Sequence, residues 1–155
     1  MRYSRTNFPP YRYVPGKGPH PTRSPEGHSY GRETAPVAID EESWRRCEPY
    51  LFAVDLFNHG YYWEAHEALE AIWHGVGHDT AIGTFAQAVI QAAAALLKHS
   101  TGKQDSAGRL AAAAIGKLRC GAAVILGVDT EALATQLETH LDGRRVAPPR
   151  IELRD

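Results

Sequence analysis

Proline is concentrated at one end of this chain: seven of its ten prolines fall in residues 1–38, together with four of its fourteen glycines. Proline fixes φ and removes a backbone donor, so this stretch can be neither regular helix nor central strand. It carries six basic residues (Arg2, Arg5, Arg12, Lys17, Arg23 and Arg32) against Glu26 and Glu33, a net +4. The whole chain is at −1, which leaves −1 − 4 = −5 for everything after residue 38. Tyr3, Phe8, Tyr11, Tyr13 and Tyr30 supply apolar anchors that disordered tails usually lack. The expectation is an extended arm lying partly against an acidic body, with a solvated basic tail as the alternative.

Residues 39–143 read as the body, and their pattern is helical throughout. Asp40 followed by Glu41 and Glu42 signals a helix start, with acids at the positive end of the dipole. Pro49 is expected to break that helix, and Gly60 to end the next piece in a left-handed cap. A second principal helix spans 61–74. Asp79 or Thr80 caps a third running to about Ser100, where Gly102 stops it; a fourth covers roughly 105–126; Asp129 caps a fifth. No stretch alternates with period two for long enough to compete as a strand. The third and fourth helices are loaded with alanine, which lets axes approach closely, while Phe52, Phe57, Trp63, Leu69, Ile72 and Trp73 supply bulk. The fold class is therefore all-α: a compact bundle of four main helices with a C-terminal helix appended. Long helices with small surfaces also suit self-association, so a homodimer is expected. Residues 144–155 read as a short extended tail with no legible chemistry.

A pI near 6.7 gives no basic field of the kind that draws a protein to nucleic acid or to an anionic membrane, and neither partner is implied. The start of the chain lacks the apolar run of a secretory signal, and no apolar stretch long enough to span a bilayer is expected. Cys47 and Cys120 make no metal or redox pattern and read as free thiols of a cytoplasmic protein.

The stretch YYWEAHEALEAIW, residues 61–73, sets polar groups among aromatics. At about 100° per residue, Tyr62, His66, Leu69, Glu70 and Trp73 share one face, Trp63 flanks it, Glu64 points away, and Glu67 lies about 60° from Glu70. His66 and Glu70 thus fall on the stripe expected to be buried, where an unpartnered carboxylate would be costly. Asp55 and Asn58 on the preceding helix could meet them across a hairpin about Gly60, and Gln87 and Gln91 lie on the third helix. Two chemistries fit. A His and a carboxylate four residues apart can hold one divalent metal, with the intervening Glu67 as general base. Zinc, or manganese or iron given the oxygen-rich set, would then activate water. Alternatively the group is a His–carboxylate network that fixes helix register, in a non-catalytic binding or scaffold protein. His20 and His28 of the arm could complete a metal shell or, with Arg23 and Arg32, clamp an anionic substrate. No phosphate-binding loop, dinucleotide fingerprint or nucleophile elbow is present.

The segments DLFNHGYYWEAHEALEAIW and FAQAVIQAAAALLKHSTGK resemble the bacterial and archaeal helical family catalogued as domain of unknown function 309, over about residues 50–120. The resemblance implies a compact helical bundle and the label of a metal-dependent hydrolase of unestablished substrate. It implies Asp55, Asn58, Gly60, Tyr62, His66, Glu67, Glu70 and Trp73 as motif residues, with Gln91 and His99 following. On that reading His66, Glu70 and Asp55 are metal ligands and Glu67 the catalytic base.

Overall fold

A computed structural model describes residues 1–154. Five α-helices follow one another: α1 (Glu48–Asn58), α2 (Tyr62–Val76), α3 (Ala81–Ser100), α4 (Gln104–Cys120) and α5 (Thr130–Leu141). Each packs on the next, as the short connections require. Four boundaries, two ends and two starts, were legible because they are local. Gly60 and Gly102 adopt φ near 79° after α1 and α3. Thr80 caps α3 by accepting from the Gly83 amide, and Asp129 caps α5 by accepting from Ala132 N at 2.8 Å.

Alanines Ala86, Ala88, Ala92, Ala93 and Ala95 on α3 and Ala107, Ala111 and Ala114 on α4 are buried, so these helices interlock through small side chains. Bulk comes from Tyr50, Leu56 and Phe57 of α1, Leu69 and Ile72 of α2, and Leu133 and Leu137 of α5. One expectation about membranes is corrected here: an 18-residue window of α3 has mean hydropathy 1.3, enough by length and composition to cross a bilayer, and 56% of it is buried within the bundle.

Two boundaries differ from those expected. Asp40 starts no α-helix, because its carboxylate accepts from the Ser43 amide and hydroxyl at 2.8 and 2.6 Å and closes a turn instead. A single 3-10 turn, Trp44–Arg46, follows, and Pro49 sits in the first turn of α1, where its missing donor costs nothing. The fourth helix ends at Cys120 rather than near 126. Beyond it, β1 (Val124–Ile125) and β2 (Val128–Asp129) form a minimal antiparallel hairpin. The hairpin tip is fixed from a distance: the Tyr50 hydroxyl donates to Leu126 O at 2.8 Å, and the Glu41 carboxylate accepts from Leu126 N at 3.0 Å.

Residues 1–39 run over α1 and α2 and bury Ser4 and Ile39. The tail is not idle either. Ile151 is 3% exposed, and the Asn58 side chain accepts from Ile151 N at 2.7 Å and donates to Ile151 O at 2.8 Å.

Candidate functional site

The periodicity of α2 places His66, Glu67 and Glu70 side by side. His66 Nε2 lies 3.3 Å from Glu70 Oε1, and His66 Nδ1 lies 3.5 Å from Glu67 Oε1. One donor atom from each of the three residues falls within 4.8 Å of the others. The side chains are 30%, 40% and 36% exposed for His66, Glu67 and Glu70, so the near-complete burial expected of His66 and Glu70 does not occur: the group lies at the rim of the apolar stripe. His66 Nδ1 is nonetheless sealed from solvent and makes no hydrogen bond of good geometry. The adjacent Glu67, with Glu70, raises the imidazole above its ordinary value of 6.5 against the opposing effect of burial. Glu67 also lines a groove of about 560 Å³ between α1–α2 and the arm, walled by Phe52, Trp63, His28 and Arg32.

Asp55 does not join this group. It is fully buried, and its oxygens accept from the amides of Tyr3 and Ser4 at 2.9 and 2.8 Å and from the Ser4 hydroxyl at 2.6 Å, with Arg2 Nε at 3.5 Å. Burial by itself would raise this carboxyl; Ser4, the two amides and Arg2 more than reverse the effect and hold it below its ordinary 3.8. Its role is to anchor the arm. The hairpin about Gly60 forms, yet Asp55 lies on the face of α1 that the N-terminus covers.

The remaining motif residues have structural work. Asn58 clamps the tail. Tyr62 packs edge-on against Phe57 with centroids 5.8 Å apart, and Trp73 stacks on His78 at 3.7 Å with its indole N–H buried and unpartnered. Gln91 accepts from Lys117 at 3.0 Å, and His99 Nδ1 lies 2.8 Å from Gln104 Oε1. None of these bonds reaches the His66 group.

The arm histidines complete no metal shell there. His20 packs edge-on against Trp63, 5.4 Å between centroids, and its Nδ1 accepts from the Arg23 amide at 3.3 Å. His28, with a side chain 3% exposed, places Nε2 3.0 Å from Glu64 Oε1 and Nδ1 2.8 Å from the Ser29 hydroxyl. Glu64 is the residue that sequence reasoning missed. Pointing away from the bundle is not pointing to water, because the arm covers that side: Glu64 is 5% exposed and also accepts from Tyr13 N at 2.8 Å. The available signal was the arm itself, whose cations and histidines need acids on whatever surface they cover.

No curated protein matches the chain. The segment from α1 into α4, residues 50–110, matches the family model described as Domain of unknown function (DUF309).

Proposed function

We propose that the chain binds one divalent metal through His66, Glu67 and Glu70 and uses it for hydrolysis of a small substrate. The observation that carries the reading is the convergence of three donor atoms within 4.8 Å on one helix, with His66 Nδ1 sealed from water and facing the Glu67 carboxylate at 3.5 Å without a hydrogen bond of good geometry. A buried ring nitrogen left without a well-formed hydrogen bond is costly in a folded protein unless something else binds it. The donor set of one imidazole and two carboxylates suits zinc, manganese or iron, and its partial exposure leaves room for water. Bound there, the ion would supply Lewis acidity and a water acidic enough to react near neutral pH. With Asp55 committed to the arm, Glu67 takes the third ligand position, and the groove it lines is where substrate would approach.

A second reading has its own observation. The same three side chains sit at ion-pair distances, and the raised His66 favours a cation between two carboxylates. That arrangement would make the group a register-fixing network in a binding protein.

Metal titration separates the two. Protein stripped with chelator and reloaded with zinc, manganese or ferrous iron should hold one ion per chain by elemental analysis. Its melting temperature should rise with metal concentration, as linkage requires, and His66→Ala should abolish both. No retained metal and no shift in the wild type would leave the network reading standing.

A further inference from the structure

We infer that a second, cationic groove at the α1–α2 turn is a binding site for a phosphate-bearing small molecule. The groove encloses about 620 Å³, within the size range of small-molecule sites. Its lining includes Arg12, Lys17, Gly60, Tyr62, Thr101 and Arg150, and no carboxylate. Arg12, Lys17 and Arg150 have no acidic partner within ion-pair distance among the described residues, whereas Arg2 and Arg154 each have one and Arg119 has two.

The cations are brought together by the fold and not by chance of exposure. Arg12 comes from the arm and lies 5.5 Å above the Tyr61 ring. It passes so close to Gly60 that a Cβ there would come within 2.9 Å of Arg12 Nη1. Arg150 comes from the other end of the chain. Its Nη1 donates to Asn58 O at 3.2 Å and its amide to Gln136 Oε1 at 2.9 Å, next to the Asn58 clamp on Ile151. The Asn58 carbonyl thereby accepts from one guanidinium, and Gly60, with no side chain, leaves room for the other over the same turn. Collecting like charges without an acid is electrostatically uphill. The carbonyl ends of α1 and α3 offset part of that charge, each about half a unit, which leaves an excess suited to a dianion. Two guanidiniums with a lysine match the planar and point-charge contacts that phosphate oxygens accept, and Tyr62 offers an aromatic wall.

The test is calorimetric titration of chelator-treated full-length protein with inorganic pyrophosphate, at low salt and in the presence of chelator. A saturable one-to-one isotherm is expected, weakened about tenfold or more in Arg12→Gln and in Arg150→Gln. Among the described residues the Lys17 side chain makes no bond and is exposed, so Lys17→Gln should fold as the wild type does and still bind several-fold more weakly. Arg119→Gln on α4 should bind as the wild type, and the chelator present throughout separates this site from the metal reading, on which it does not depend. Absence of a saturable isotherm, binding unchanged in Lys17→Gln and Arg12→Gln, or equal affinity for citrate would overturn the assignment.

Discussion

A carboxylate sealed from water needs its charge answered in full, and Asp55 is answered by two amides, a hydroxyl and a guanidinium, all from residues 2–4. Removing it strands those donors against α1. Asp55→Ala should therefore lower unfolding free energy by about 3–5 kcal/mol, the cost of breaking a buried charge pair, read by urea denaturation. Its pH dependence has a definite sign. The folded carboxyl titrates below its ordinary 3.8, so its contribution is present above that value and fades as pH falls through the lower, folded one. Arm release should then appear below about pH 4 as a change in emission from Trp63, which His20 and Tyr13 cover. In Asp55→Asn that acid transition should be missing. The identity of Asp55 as a special residue was legible in its polar placement on an apolar helix. Its partners were not, because they lie more than fifty positions away in a stretch with no periodicity.

Helix α2 shows how one element serves three neighbours. One edge carries His66, Glu67 and Glu70, one face packs on α1 and α3, and the back receives the arm at Glu64 and again at Ala71, whose carbonyl accepts from Val37 N at 2.9 Å. Gly75 permits that last crossing, since a Cβ there would run into the Val37 backbone. Two effects then oppose each other in Gly75→Ala. Helix propensity favours alanine by about 1 kcal/mol, while forcing backbone apart costs about 1–3 kcal/mol. The variant should be net less stable by thermal melting, and amide exchange should quicken around Val37; a stabilised variant would show that the arm does not press on α2. The same contrast explains which elements could be read in advance. Caps such as Thr80 and Asp129 act within three residues and are written locally. The end of α4 is not: CGAAVILG has helical composition, but Gly127 at φ 77° lies against the Trp44 ring and Leu126 is held by Tyr50 and Glu41.

Across the whole molecule both ends of the chain wind onto the α1–α2 pair, and the question is what holds the arm there. Opposite net charges, +4 on residues 1–38 and −5 beyond, suggest long-range attraction. Attraction of that kind is screened: the Debye length shrinks from about 10 Å at 0.1 M salt to about 3 Å at 1 M. The contacts themselves are of another sort. Asp55 is fully buried, the His28–Glu64 pair is 3% and 5% exposed, and Phe8 stacks on Tyr61 with centroids 4.9 Å apart. Buried pairs and aromatic packing are barely reached by screening, and burial of apolar surface is not weakened by added sodium chloride. Charge complementarity was visible in composition and correctly suggested contact, but it is the weaker part of the attachment. Limited trypsin digestion reads this directly, because Arg12, Lys17 and Arg23 are exposed while the backbone beside Arg12 is tied to the body through Tyr13 N and Glu64, and the amides of Lys17 and Arg23 are bonded within the arm to Val14 and His20. Cleavage within the arm should stay slow, and change less than about twofold between 0.05 and 1 M sodium chloride once trypsin's own salt response is corrected with a peptide substrate. In a His28→Ala, Glu64→Ala variant, which removes the buried pair, it should accelerate at both salt concentrations alike. A wild-type arm that is protected at low salt and rapidly cut at high salt would mean that net charge, and not the buried contacts, keeps it in place.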